Sequence, residues 1–103
     1  MTARSQTFSS TSEAIKPAPL ELRRRRALYR ATHRGTKELD WLVGRFIEAR
    51  LPIMSESEMD LVERFLTVPD PELHAWIMTP QRFDRGEFSG IVDDLRVFHK
   101  MTD

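Results

Sequence analysis

The stretch TKELDWLVGRFIEAR, Thr36 to Arg50, decides the fold class. Leu39, Leu42, Val43, Phe46 and Ile47 recur at i, i+3, i+4, i+7 and i+8, the spacing that puts apolar side chains on one face of an α-helix. No segment of useful length alternates apolar and polar residues as a half-buried strand does. Leu51-Pro52 stops this helix, since proline lacks the donor and pushes the residue before it out of the helical region.

Working outward, the same period recurs on both sides. Upstream, a helix is predicted from about Leu20 to His33, closed by Gly35 in the left-handed conformation. Downstream, Ser55 with Glu58 three residues later is a capping-box pattern, and Met59, Val62, Phe65 and Leu66 form the inner face of the helix it opens. Asp70-Pro71 predicts a fourth, short start, with the carboxylate as cap and proline where no donor is needed. Leu73, Trp76 and Ile77 anchor that helix and Pro80 ends it. After the polar loop QRFDRGE, a fifth helix from about Phe88 to Lys100 places Phe88, Ile91, Val92, Leu95 and Phe98 on one side. The expected architecture is all-α: a small single-domain five-helix bundle over residues 20–103. Residues 1–19, rich in Ser and Thr, are expected to form a disordered tail.

A core of roughly 80 residues folds alone but is too small to enclose a large cofactor. The formal net charge of zero hides an asymmetry: residues 1–30 hold seven Lys or Arg against Glu13 and Glu21, which leaves an acidic body. With no cysteine, disulfides, thiolate zinc sites and a cysteine nucleophile are excluded. No apolar run approaches the roughly 18 residues that span a bilayer, so no membrane insertion is expected. The amino-terminal stretch lacks the amphipathic period of a transit peptide, which predicts the bacterial cytoplasm, with the mitochondrial matrix as the alternative.

Few residues offer chemistry. His33, His74 and His99 are scattered without a dependable metal spacing, so no metal site is assigned. Ser55, Ser57 and Ser89 lack a nucleophile-elbow context, and no phosphate-binding glycine motif is present. No catalytic residue is assigned. The run Arg23-Arg24-Arg25-Arg26 reads as a solvated helix face, because no aromatics interleave with it and the body is acidic. The alternative function, a helical module binding nucleic acid through Arg23 to Arg26, would show affinity that falls steeply with salt.

The segment HRGTKELDW, His33 to Trp41, fits a turn between helices. Arg34 suits a helix C-terminus, Gly35 a tight turn, and Glu38 the positive end of the next helix dipole, as an anchoring carboxylate rather than a proton donor. Trp41 does not fit so simply. At about 100° per residue it lies opposite the apolar face, beside Lys37, Arg45 and Glu48, and so either covers the first helix or faces a partner.

Arg34-Gly35-Thr36-Lys37-Glu38-Leu39-Asp40 resembles the RGxxE signature of the succinate dehydrogenase FAD-assembly factors, small bacterial and mitochondrial proteins that promote covalent flavin attachment to the enzyme's flavoprotein subunit. The likeness continues through MSESEMDLVERFLTVPDPELHAW, Met54 to Trp76, similar to the family's third helix, aspartate-proline turn and tryptophan-bearing fourth helix, and covers about residues 22 to 100. The resemblance implies a five-helix fold and a chaperone-like, non-enzymatic role. The implied partner is the flavoprotein subunit of succinate dehydrogenase, with fumarate reductase as a second candidate client. FAD would belong to that partner, whose own histidine becomes bonded to it, and the factor itself would hold no cofactor stably. Arg34, Gly35 and Glu38 would be the partner-binding residues, joined by Trp41 on the helix-face argument, with Arg34 and Glu38 projecting into the partner; Trp76 would be structural.

Overall fold

Two hydroxyl caps set where the central helices begin. Thr36 Oγ1 accepts from the Leu39 N–H at 3.2 Å, and Ser55 forms the complete capping box with Glu58, at 3.2 Å one way and 2.8 Å the other. The Ser55 N–H holds the Glu58 carboxyl below its ordinary range. The structure, a computed structural model, describes residues 19–101. In chain order it comprises α1 (Leu20–Thr32), α2 (Lys37–Arg50), a 3₁₀ turn at Leu51–Ile53, α3 (Glu56–Phe65), α4 (Asp70–Met78), 3₁₀ turns at Pro80–Arg82 and Gly86–Phe88, and α5 (Ser89–Phe98). The described residues are therefore all-α with five helices and no strand, as the periodicity predicts. The expected tail falls outside the described residues except for Pro19, which precedes α1 as its N-cap.

The core follows the predicted faces. Leu39, Val43 and Ile47 of α2 meet Met59, Val62 and Phe65 of α3, Leu73 and Ile77 of α4, and Val92 and Leu95 of α5, all almost fully buried. Removing such side chains from water is the main source of stability in a domain this small. The α1 helix adds only Ala27 and Ala31 to the buried set, and small residues let it lie close to α2. A Cβ on Gly44 would stand 2.9 Å from Thr32 Cγ2 and 3.4 Å from the Ala31 carbonyl, so a larger residue there would push the two helices apart.

The structure corrects several local expectations. α1 ends at Thr32 with His33 as its C-cap, and Gly35 lies two residues beyond in the link, where it shapes the turn instead of capping the helix. α4 begins at Asp70 itself with Pro69 as its N-cap, so Asp70 is the first helical residue and not the cap, and its Oδ1 accepts from Arg34. Phe88 precedes α5, and Phe98 is 39% exposed, its ring edge-on to Phe46. Past Phe98, Lys100 takes a positive φ of 59° and the Met101 N–H reaches back to the Arg96 carbonyl at 2.7 Å, the bond pattern of a Schellman motif.

Candidate functional site

Arg34 sits in the link between α1 and α2, and its side chain turns inward, 7% exposed. Nε donates to Asp70 Oδ1 at 2.9 Å, Nη1 to the Leu66 carbonyl at 2.6 Å, and Nη2 to the Val68 carbonyl while lying 2.8 Å from Asp70 Oδ1. The carbonyls of Leu66 and Val68 lie at and beyond the end of α3, where no further helical N–H is available to them. A planar guanidinium serves carboxylate and carbonyls together, which a lysine ammonium on a single point cannot do with the same geometry. The Arg34 backbone N–H donates to Asp40 Oδ1 from the first turn of α2. One residue thus pins the α1–α2 link to the α3–α4 link. The expectation that Arg34 projects outward is corrected: its donors are consumed inside the fold.

Gly35, next along, is exposed with φ of +131°, a region that L side chains rarely adopt. A Cβ there would stand 2.9 Å from Asp70 Oδ2, on the carboxylate Arg34 holds. Glu38 does face solvent, 58% exposed, and its Oε1 lies 2.9 Å from Nε2 of His74, itself 46% exposed, on α4. An open recess of about 460 Å³ between the first turns of α2 and α4 is lined by Thr36, Glu38, Leu39, Asp70, Pro71 and His74. Trp41 is 53% exposed; its ring is tilted against that of His99 with centroids 4.6 Å apart, while His99 Nε2 bonds the Leu42 carbonyl at 2.7 Å. The structure therefore brings Arg34, Gly35 and Glu38 to one corner and leaves Trp41 exposed on α2, against the end of α5.

The remaining candidates separate. His33 stacks on Tyr29 with centroids 4.0 Å apart and bonds its carbonyl through Nδ1 at 2.8 Å. Among the described residues no group of three His, Cys, Asp or Glu is arranged to hold a metal ion. A separate groove lined in part by Phe46, Ile53, Met54 and Ile91 shares no residue with the recess. The arginine run is not one solvated face. Arg23 bonds Glu63 through Nε at 2.9 Å and through Nη2 at 2.7 Å, with Asp60 also on Nη2, and Arg24 bonds the Met54 carbonyl at 3.0 Å. Arg25, paired with Glu21, and Arg26 remain exposed. Half of the run holds α1 to α3 and to the link just before it, so Arg23 to Arg26 do not present one free basic stripe.

That tie makes an acid-sensitive element. The hydrogen bonds from Arg23 hold the Glu63 carboxyl below its ordinary range. A group depressed in the folded state stabilises fully above its unfolded value of about 4.3, and the contribution is lost as pH falls through the lower folded value. The urea midpoint of wild type should exceed that of Arg23→Ala at about pH 6, and the gap should narrow as the pH is lowered below about 4.3. A gap that persists unchanged in acid would show that Arg23 acts through packing alone.

Comparison with known proteins gives the corner its family. The profile of the family described as "Flavinator of succinate dehydrogenase" matches residues 25–99. The chain belongs to this family. It is 43% identical over 76 residues to the FAD assembly factor SdhE of Acetobacter pasteurianus, covering 74% of this chain and 70% of the relative. It is 31% identical over 78 residues to the FAD assembly factor SdhE of Idiomarina loihiensis, covering 76% and 87%. It is 35% identical over 57 residues to the mitochondrial succinate dehydrogenase assembly factor 2 of Scheffersomyces stipitis, covering 55% of this chain and 38% of that protein. No solved structure matches the chain significantly. No helix among the described residues is long and apolar enough to cross a membrane.

Sequence reasoning missed three residues of this corner. Asp70 was legible as a helix start but not as the partner of Arg34, 36 positions away. Asp40 lies inside the quoted motif, yet its bond to the Arg34 N–H needs the turn to be built first. His74 falls one helical turn after Asp70, so that spacing alone placed both on one face of α4; which face points at Glu38 is a tertiary fact.

Proposed function

We propose that this protein is an assembly factor that binds the flavoprotein subunit of succinate dehydrogenase and promotes covalent attachment of FAD to it, acting in the bacterial cytoplasm without being an enzyme itself. The observation that carries the reading is the contrast within one corner: Arg34 is locked inside the fold, while Glu38 stands exposed on the frame that Arg34 fixes. Exposed Gly35 and Glu38, with Trp41, form the docking surface in this reading, and Arg34 shapes it from beneath. Membership of a family named for flavination of succinate dehydrogenase supports the choice of client. The flavoprotein of fumarate reductase is a second client to test alongside it.

Docking assists the reaction by differential binding. A surface that fits the attachment-competent arrangement of the partner better than its other arrangements raises the population of that arrangement, with no reacting atom supplied by the factor. FAD stays with the partner. The recess beside Gly35 has the Glu38 carboxylate and no Lys or Arg among its lining residues, and so does not suit the diphosphate of FAD.

Cells lacking the protein, rescued with wild type or with Glu38→Ala, provide the test. Covalent flavin on the denatured flavoprotein, read by in-gel fluorescence, should return with wild type and stay low with Glu38→Ala, although the variant melts within a few degrees of wild type because an exposed hydrogen-bonded side-chain pair adds about 0–1 kcal/mol. Equal rescue by both would remove Glu38 from the docking surface; no rescue by wild type would overturn the assembly role.

A further inference from the structure

The His74 ring is the feature of the corner that the docking reading leaves unused. It belongs to α4, whereas Glu38 belongs to α2, and the two helices present their first turns side by side around the recess. His74 Nε2 reaches Glu38 Oε1 at 2.9 Å, and because a carboxylate only accepts, the shared hydrogen sits on the histidine. A glutamate on a helix surface otherwise samples many rotamers. With Oε1 taken, Oε2 is left to accept from a second donor.

We infer that His74 is a positioning residue for docking: it fixes the Glu38 carboxylate so that the free oxygen accepts from a donor group of the flavoprotein partner. This rests on the proposed docking role of Glu38. The frame beneath the pair is rigid for independent reasons. Asp70, one turn before His74 on the same helix, is held by Arg34, and Leu39 and Leu73 beside the pair are buried. His74 therefore adds little to keeping α2 and α4 together; its effect is on where one exposed side chain points. Prepaid ordering of that side chain should appear as affinity.

The experiment measures binding of the full chain to the purified flavoprotein subunit, with melting temperature in parallel, for Glu38→Ala, His74→Ala, His74→Gln and the Glu38→Ala/His74→Ala double variant. The glutamine amide can donate from a similar distance along the side chain, so His74→Gln should keep most of the affinity. His74→Ala should weaken binding by about three-fold, within the range of an exposed pair, without a matching fall in melting temperature. In the Glu38→Ala background the same change should add nothing, since its target is gone. If Glu38→Ala weakens binding but His74→Ala does not, or if the His74→Ala loss persists undiminished without Glu38, the positioning role is overturned and docking by Glu38 stands. If Glu38→Ala itself binds as wild type, the docking role fails first, and the positioning role with it.

Discussion

Arg34→Ala should lose roughly 3 kcal/mol of folding stability, the low end of the cost of removing one partner from a buried charged pair, because the Asp70 side chain stays 27% exposed. The substitution strands the Asp70 carboxylate and the Leu66 and Val68 carbonyls, which Arg34 serves with a side chain only 7% exposed. Small domains have about 5–15 kcal/mol in total, so the melting temperature should fall by roughly 12 °C or more, read by circular dichroism. Arg34→Lys should fall between, because an ammonium keeps the charge but not the fork that reaches three acceptors at once. Loss of flavinylation in Arg34→Ala should then track loss of fold and recover on cooling. A variant that melts like wild type yet fails to support flavinylation would instead place Arg34 in direct contact with the partner.

Gly35→Arg should abolish flavinylation. The backbone at φ of +131° strains any L side chain, at about 1–3 kcal/mol, and the first atom added would stand 2.9 Å from Asp70 Oδ2. Asp70 cannot swing away freely, since doing so loosens Arg34 and with it the junction of the two links. Gly35→Ala separates the two components of the effect. It carries the strain and the Cβ clash but no long side chain, so it should lower stability by a similar amount while retaining part of the flavinylation at a temperature where it remains folded. The arginine adds bulk and charge beside Glu38 on the exposed corner, which blocks approach of a partner even where the chain is folded. A folded Gly35→Arg that supports normal flavinylation would remove Gly35 from the docking surface.

These two variants expose a division within a five-residue motif. Arg34 and Gly35 are neighbours in sequence, but one side chain points into the molecule and the other position is defined by having none. Glu38 completes the motif from the next helical turn and is the member whose functional group faces solvent. Variants of the first two should show their effects in melting as well as in flavinylation, whereas variants of Glu38 should show theirs in flavinylation alone. Trp41 stands apart from this logic. Half-exposed and tilted against His99, it offers an aromatic surface at the α2–α5 edge, and it joins the docking surface as part of the same proposal.

The sequence by itself determined the helices and their inner faces. Thr36, Ser55 and Glu58 are local signals whose partners lie three residues away, and the i, i+3, i+4 spacing of Leu39 through Ile47 requires nothing beyond the helix it describes. It also named Gly35 and Glu38 through the motif they belong to. Only the tertiary structure decided what the polar residues do, because a charged side chain is indifferent in sequence to whether its partner lies four residues off or forty. Arg23 reads as part of a solvated run and proves to hold α1 to α3 through Glu63; Asp70 reads as a cap and proves to be the counter-charge of Arg34; His74 reads as one of three scattered histidines and proves to face Glu38. Apolar burial obeys a period fixed by the helix itself, while hydrogen bonds and ion pairs across helices depend on which ends the packing brings within about 3 Å of each other.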